Sequence, residues 1–297
     1  MSVRPKKRLG QHFLTDPNTV RRIVDAVGAP PGGRVVEIGP GEGALTGALL
    51  DRYPDLVALE VDPEAVEHLR AQFPALDVRP GDVLEADWQA LAAEGQEGRG
   101  KGQEGGAPAR TASGTGLSAP IPHPSSPIPG ELQASLFVVG NLPYYITSPI
   151  LFALLDAREH VARAVVMVQR EVADRIAAPP GSKTYGTLSV YFALYAEART
   201  LFTVSRHCFR PKPAVESAVV ALDFGARPGP DVAFGPLQRT VRAAFGQRRK
   251  MLRNSLGPVA EAAGVPVPDW AATLRPEAVS PADFVRLARH FAAAPAP

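Results

Sequence analysis

Short apolar runs alternate with amphipathic segments along most of the chain. After Asp16-Pro17, a signal for the start of a helix, apolar residues recur at helical spacing: Val20, Ile23, Val24 and Val27. We predict strands over 34–38, 56–61, 76–80, 136–140 and 164–169, and helices over 44–52, 62–73, 148–157, 170–177 and 186–196. Two further strands, 200–205 and 217–224, are expected to pair antiparallel. Because strands that alternate with helices build largely parallel sheets, the pattern predicts an α/β fold with about seven strands and helices on both faces.

The alternation is interrupted once and then ends. Residues 94–130 are about half Gly, Pro and Ser and show no periodicity, which predicts a disordered surface insertion. From about residue 231 the pattern is helical only, and a capping signal at 280–283 precedes a final apolar stripe. We therefore predict a sheet-containing domain over 1–230 and a small all-helical domain over 231–297.

A glycine-rich turn joins the first long strand to its helix at 37–43, where missing side chains let the backbone approach a ligand. Glu60 ends the next strand, 21 positions after Gly39, and its carboxylate can accept from both hydroxyls of a ribose. Asp82 follows the third strand and can accept from an adenine amine. Such turns also serve nicotinamide and flavin cofactors, or only turn the chain. The spacing of two between glycines does not suit pyrophosphate binding, which favours S-adenosylmethionine.

The sequence Asn141-Leu142-Pro143-Tyr144 follows the fourth strand, at the edge where α/β sheets bind ligands. The N6 amine of adenine is a poor nucleophile because its lone pair is delocalised into the ring. The side-chain oxygen of Asn141, with the backbone carbonyl of Leu142 or of Pro143, can draw the amine hydrogens into a tetrahedral arrangement and free that lone pair. A turn that merely ends the strand is the structural alternative.

Aromatic rings beside these acceptors can hold a base that has left its stack. Tyr144 can stack on one face of such a base, and Phe209, in a proline-stiffened loop over 208–213, is the candidate for the other face. The alternative for Phe209 is a ring folded onto the core.

The 297 residues carry a formal net charge of only +2, so clusters of charge matter more than the sum. Two segments hold cations without acids, and we expect both to contact phosphates: an arm with Arg4, Lys6, Lys7 and Arg8, and a helical segment with Arg239, Arg242, Arg248, Arg249, Lys250 and Arg253. Within the second segment, the RNA-binding candidates are Arg248, Arg249, Lys250 and Arg253. The helix is expected to break near Gly246, because Arg248 would otherwise lie on its apolar stripe.

The rest of the composition argues against a metal-binding protein and against a membrane protein. The single cysteine, Cys208, and the scattered histidines make a metal site unexpected. The chain contains no run of about 18 apolar residues, so we expect a soluble, cytoplasmic protein that does not enter membranes.

Together these segments resemble the small-subunit ribosomal RNA adenine N6-dimethyltransferases, the kasugamycin-sensitivity family. The resemblance is carried by the segments 8–14, 37–43, 141–144, 182–186, 209–213, 217–220 and 245–256. It implies a Rossmann-like methyltransferase sheet and dimethylation, by S-adenosylmethionine, of two adjacent adenosines in a hairpin near the 3′ end of small-subunit (16S) rRNA. The implied partner is a 30S assembly particle, and the implied state is a monomer. Relatives generally lack the long insertion.

The resemblance also implies which residues contact the cofactor: His12, Leu14, Gly39, Gly41, Glu60, Asp82, Val83 and Asn141. Relatives often have Asn where this chain has His12, and a histidine there can still donate or accept a hydrogen bond.

Three other functions use similar features. Macrolide-resistance methyltransferases modify large-subunit rRNA and typically have Ile where this chain has Leu142. Enzymes that methylate adenine in DNA usually have another residue there and a separate target-recognition domain. A non-catalytic RNA-binding assembly factor could keep the fold, but loss of Asn141 or Glu60 would then be expected, and both residues are present.

Overall fold

The computed structural model of the chain describes residue 6 and residues 10–99, 136–227 and 229–293. Within these ranges the strands are β1 (Phe13–Leu14), β2 (Arg34–Ile38), β3 (Val57–Glu60), β4 (Asp77–Pro80), β5 (Leu136–Asn141), β6 (Val161–Gln169), β7 (Glu197–Val204), β8 (Phe209–Arg210) and β9 (Ser217–Asp223). The α-helices are α1 (Pro17–Val27), α2 (Thr46–Leu50), α3 (Pro63–Gln72), α4 (Trp88–Arg99), α5 (Thr147–Asp156), α6 (Arg170–Ile176), α7 (Thr187–Tyr195), α8 (Phe234–Gly246), α9 (Leu252–Ser255), α10 (Gly257–Ala263), α11 (Asp269–Ala272) and α12 (Pro281–Ala292).

Seven strands form one sheet in the order β4-β3-β2-β5-β6-β9-β7. The four pairs from β4 to β6 are parallel, and in them Ile38 pairs with Leu59 and Gly140, and Glu60 pairs with Pro80. The strands β9 and β7 are neighbours at one edge, as expected for the last two strands. The predicted Rossmann-like α/β fold is confirmed. Because β2, β3, β4 and β5 end at one edge, the turns that follow them meet there.

The described residues group into two compact units. The first takes in the described residues up to Gln169 together with Thr200–Ala221. Its apolar core lies between the sheet and its covering helices, with buried residues such as Val35, Leu49, Leu69, Val139 and Val165. A small separate sheet in this unit pairs β1 with β8, antiparallel, so that Phe13 lies opposite Arg210 and Leu14 opposite Phe209.

The second unit takes in the described residues of Arg170–Arg199 and Leu222–Pro297. Apart from the ends of β7 and β9, its regular secondary structure is helical. The ring of Phe245 lies 5.7 Å from that of Phe284 and 5.9 Å from that of Tyr185, whose hydroxyl donates to the Val279 carbonyl. The predicted helical C-terminal region is thus confirmed, while its boundary at residue 231 stays a prediction.

The predicted helix signals act as caps. The Asp16 carboxylate accepts from the Thr19 amide at 2.9 Å at the start of α1, and the Ser280 hydroxyl accepts from the Asp283 amide at 3.1 Å at the start of α12. The predicted break is confirmed as well, since α8 ends at Gly246 and the next helix begins at Leu252.

The predicted start of the insertion at residue 94 is wrong, because α4 continues to Arg99. This helix is rich in Ala, Leu, Gln and Glu, which have high helix propensity. Glu94 also accepts hydrogen bonds from Arg34 and Arg79, which are in β2 and β4. Residues 100–130 of the predicted insertion lie outside the described residues.

Within the described ranges, none of the helices has the length and apolar character needed to cross a membrane.

Candidate active site

A cleft of about 930 Å³ lies at the carboxyl edge of the sheet, within the first unit. It is lined by the turns that follow β2, β3, β4 and β5 and by residues 10–14 of the N-terminal segment. Small-molecule sites in proteins often occur at this edge of open α/β sheets. The parallel register therefore brings the predicted cofactor and Asn141–Tyr144 segments into one cleft.

Two glycines in the turn after β2 have left-handed backbones, with φ of +61° at Gly39 and +58° at Gly41. A Cβ at Gly39 would meet nothing within 4 Å, so the backbone there is open to a ligand. A Cβ at Gly41 would lie 2.8 Å from Cε1 of Phe13. Glycine is thus required at Gly41 by the close packing of β1, which the sequence did not reveal.

Glu60 is buried at the end of β3 and faces the cleft. Its Oε2 accepts from the Gly41 amide at 3.0 Å and its Oε1 from the Asp62 amide at 2.9 Å. Burial raises the pKa of Glu60, although these hydrogen bonds act to lower it. Each carboxylate oxygen has a second lone pair, so both can accept one further hydroxyl.

Glu37, which the sequence analysis did not select, is a second buried carboxyl group in the cleft lining. Its Oε2 accepts from the Thr46 hydroxyl at 2.7 Å. Burial raises the pKa of Glu37 to about 8, with a further contribution from the Glu60 carboxylate. The signal was an acidic residue inside an otherwise apolar strand. At neutral pH the side chain is mostly protonated.

The turn after β4 supplies a polar and an apolar side chain. Asp82 is exposed, and its Oδ1 accepts from the Leu84 amide at 3.0 Å. Val83 is buried against the cleft, and Val61, directly after Glu60, lines the same cleft while 52% exposed. Two valines beside two carboxylates can flank the flat face of an adenine. Val61 was not among the predicted site residues; the signal for it is an apolar residue directly after the acid that ends a strand.

The N-terminal segment orients the Asn141 side chain. The Nδ2 of Asn141 donates to the backbone carbonyl of His12 at 2.8 Å, so the amide oxygen is left to accept. The Nδ1 of His12 in turn donates to the Pro211 carbonyl at 2.7 Å, since a carbonyl only accepts. Leu14 is buried at the cleft and pairs with Phe209.

The two backbone carbonyls that follow Asn141 differ in their partners. The Pro143 carbonyl accepts from the Thr147 hydroxyl at 2.9 Å and from the Ile146 amide at 3.2 Å. The Leu142 amide donates to Met167, but the structure gives its carbonyl no hydrogen bond with any described residue. Of the two predicted backbone acceptors, the Leu142 carbonyl is therefore the one without a hydrogen-bond partner among the described residues.

Tyr144 is partly buried, and both its hydroxyl and its ring have contacts that hold the side chain in place. Its hydroxyl forms a hydrogen bond with Oγ of Ser217 at 2.6 Å, and its ring lies 5.4 Å from the His12 ring. Burial raises the pKa of the Tyr144 hydroxyl. The ring lines the cleft beside Asn141, as a stacking residue must.

Phe209 does not lie where the sequence placed it. It is in β8 rather than in a loop, is 5% exposed, belongs to the apolar core and does not line the cleft. The reason is its pairing with Leu14, which turns the ring inward. Phe209 would have to leave the core to stack on a base.

The cations predicted to bind RNA lie in the second unit, at and after the break between α8 and α9. Arg248 is 3.4 Å from the Glu277 carboxylate and donates to the Lys183 carbonyl at 2.6 Å. Three further cations are exposed and form no ion pair with any described residue: Arg249, Lys250 and Arg253. We call these three residues the basic turn. Arg248 is thus partly neutralised, and the basic turn is not.

The predicted basic arm is represented by one residue. The Nζ of Lys6 lies 2.6 Å from the Asp62 carboxylate and 2.9 Å from that of Glu64, so it is occupied by acids and not available for phosphates. The remaining members of the arm lie outside the described residues: Arg4, Lys7 and Arg8.

Comparisons with known proteins agree with this geometry. The family model for ribosomal RNA adenine dimethylase matches residues 3–267. The chain is 45% identical over 290 residues to Ribosomal RNA small subunit methyltransferase A of Salinibacter ruber, covering 97% of this chain and 85% of the relative. It is 41% identical over 251 residues to the protein of the same name from Prosthecochloris aestuarii, covering 84% and 81%.

Solved structures show the same fold. A dimethyladenosine transferase from Plasmodium falciparum superimposes with a TM-score of 0.68 at 20% identity, covering 95% of this chain and 98% of the other. The 23S rRNA methyltransferase ErmE superimposes with a TM-score of 0.55 at 25% identity, covering 94% and 99%. With a family model matched along most of its length and relatives above 40% identity, the chain is a methyltransferase that belongs to the ribosomal RNA adenine dimethylase family.

Proposed function

We propose that the chain dimethylates N6 of two adjacent adenosines in a hairpin near the 3′ end of small-subunit (16S) rRNA, with S-adenosylmethionine as methyl donor, during ribosome assembly. The observation that carries the chemistry is the Asn141 amide, which is tied through its nitrogen to His12 and keeps its oxygen for a substrate. The small-subunit substrate is supported by the names of relatives that cover most of the chain.

The chemistry of the residues that line the cleft suits S-adenosylmethionine. Glu60 has lone pairs for two ribose hydroxyls, and Asp82 can accept from the adenine amine of the cofactor. Val61 and Val83 can flank the adenine ring. The open backbone at Gly39, the Gly41 turn and the segment with His12 and Leu14 suit the amino-acid part. When bound, the cofactor supplies a methyl group on a positively charged sulfur, which is an excellent leaving group.

The chain's own residues make the amine nucleophilic. The Asn141 oxygen and the Leu142 carbonyl accept hydrogen bonds from the two amine N–H groups, since the Pro143 carbonyl already accepts from Thr147 and Ile146. These two contacts favour a tetrahedral nitrogen, whose lone pair is no longer shared with the ring. No dedicated general base is required, and the rate comes from positioning and from fixed dipoles.

Tyr144 holds the target base in the cleft. Taking a base out of its stack costs a few kcal/mol, and an aromatic ring stacked on it returns about 1–3 kcal/mol. The Ser217 hydroxyl and the neighbouring His12 ring hold the tyrosine in place, so little side-chain freedom is lost when the base arrives.

The helical segment 231–297 is proposed to grip the RNA backbone through Arg248, Arg249, Lys250 and Arg253. Folded RNA is recognised largely by its shape and its phosphates, and the exposed basic turn offers three cations for them. The protein is proposed to act as a cytoplasmic monomer on a 30S assembly particle.

The test is transfer of labelled methyl from S-adenosylmethionine to small subunits that lack the modification, compared with large-subunit RNA and naked DNA. We expect two methyl groups on each of two adenosines, and severely reduced transfer by Asn141→Ala. Transfer to large-subunit RNA alone would support the alternative suggested by the structural likeness to ErmE. A chain that binds particles without transferring methyl would be an assembly factor.

A further inference from the structure

Tyr145 follows Tyr144 in the turn after β5, and the two side chains have opposite surroundings. The turn is closed by the hydrogen bond from the Ile146 amide to the Pro143 carbonyl, and the tyrosines are its central residues. Tyr144 is partly buried and hydrogen-bonded to Ser217. Tyr145 is 53% exposed, and the structure shows no hydrogen bond from its hydroxyl to any described residue.

The Tyr145 ring lies at the rim of the cleft, against the backbone of the N-terminal segment. A Cβ added to Gly10 would be 3.2 Å from Cδ1 of Tyr145, and the Gly10 φ of +55° also favours glycine. The ring is therefore supported on one side by the chain itself. Proteins that bind single-stranded nucleic acid use such rings, placed beside the binding groove, as platforms on which bases stack.

Among the tyrosine, phenylalanine and tryptophan rings that the structure describes in the first unit, no other offers such a surface at the cleft. Phe209 is in the core, Phe13 is packed against Gly41, and Tyr144 lies inside the cleft. The other exposed apolar side chains at the cleft and the neighbouring turn, Val61 and Leu84, are aliphatic.

We propose that Tyr145 stacks on the base next to the target adenine on the RNA strand. This inference rests on the proposed function, because a strand that turns one base toward Asn141 leaves the adjoining base at the mouth of the cleft. Stacking on an aromatic ring accepts any base, since every base has a π face. Tyr145 thus binds the strand and fixes its register, while the chemical step belongs to Asn141 and Leu142.

The experiment compares Tyr145→Ala, Tyr145→Leu and Tyr145→Phe in the full chain. The measured quantities are kcat and KM for unmethylated small-subunit particles, the affinity for S-adenosylmethionine, and the thermal midpoint. We expect Tyr145→Ala and Tyr145→Leu to raise KM for particles about tenfold, the size of one lost stacking contact. Tyr145→Phe should restore the wild-type KM because it keeps the ring.

The controls separate stacking from structure. Leucine fills similar space without a π face, so equal KM for Tyr145→Leu and wild type would overturn the proposal. A fall in kcat at saturating particles would overturn it as well, because it would place Tyr145 on the target base. A lower thermal midpoint or weaker cofactor binding in Tyr145→Phe would indicate a structural role. Absence of methyl transfer by the wild-type chain is a different result, which refutes the proposed function itself.

Discussion

The cleft of the first unit and the basic turn of the second are built in opposite ways. In the cleft, Glu37, Glu60 and Asn141 each have a named hydrogen-bond partner, and the two carboxyls are buried. In the basic turn, Arg249 and Lys250 are exposed. A group that aligns reacting atoms must be held in place, whereas cations that follow a phosphate backbone act through charge and tolerate movement. Substitutions should therefore have large and specific effects in the cleft and small, salt-dependent effects in the basic turn.

The largest effect is expected for Asn141→Ala, which removes the proposed side-chain acceptor for the target amine. Loss of one positioned hydrogen-bonding group in an active site costs about 10²–10³-fold in kcat. We expect a fall of that size in labelled methyl transfer, with S-adenosylmethionine affinity reduced far less. Undiminished turnover would show that Asn141 takes no part in the chemical step. Substitutions in the cleft would then have no larger effects than those in the basic turn.

The next largest effect is expected for Gly41→Ala, and Gly39→Ala is its matched control. Both positions have φ near +60°, but only the Gly41 substitution places a Cβ 2.8 Å from Phe13. Overpacking typically costs 1–3 kcal/mol, so Gly41→Ala should lower the free energy of unfolding by about that much more than Gly39→Ala. Denaturant unfolding measures the difference. Equal losses of free energy of unfolding in the two variants would mean that Phe13 in β1 moves to make room for the new methyl group.

The buried Glu37 predicts a pH dependence of stability. Its pKa in the folded chain is about 8, above the ordinary 4.5, so the folded state binds more protons between those values. The free energy of unfolding should fall as pH rises from about 4.5 to 8, by at most about 1.4 kcal/mol per pH unit from this group. Glu37→Gln should flatten that slope. Equal slopes in both proteins would show that the carboxyl group stays charged.

The smallest effect is expected in the basic turn. Replacing Arg249 and Lys250 by Ala should weaken particle binding and reduce the slope of log affinity against log salt by about one per lost contact. Arg52→Ala, which breaks the exposed pair with Asp25 in the first unit, is the charge-matched control for one lost cation and should leave the slope unchanged. An unchanged slope in the double variant would place the RNA interface elsewhere.

Arg248→Ala should behave differently from its neighbours. Arg248 contacts Glu277 and the Lys183 carbonyl, so its loss should lower the thermal midpoint as well as RNA affinity. A loss of affinity without any change in the midpoint would group it with Arg249 and Lys250.

Local patterns predicted most of the fold and where the cleft lies. The alternation of strands and helices implied a parallel sheet, and a parallel sheet places the ends of its strands at one edge. The caps at Asp16 and Ser280 and the break at Gly246 also follow from neighbouring residues. These features depend on contacts a few positions apart.

The details that the sequence did not reveal depend on distant contacts. The burial of Phe209 requires its pairing with Leu14, and the close packing at Gly41 requires Phe13. The choice of Leu142 over Pro143 depends on which carbonyl Thr147 and Ile146 already occupy. The partners of Lys6 are acids at the start of α3, and no local charge count shows them.

The attachment of β1 to β8 has a consequence for how the enzyme is made. The segment that orients Asn141 is synthesised first, but its partner strand, Phe209–Arg210, emerges only after every strand of the cleft. Because chains begin to fold during synthesis, a nascent chain can form the cofactor turns long before the Asn141 amide is aligned. We therefore expect the cleft to be completed only after residue 210 has left the ribosome.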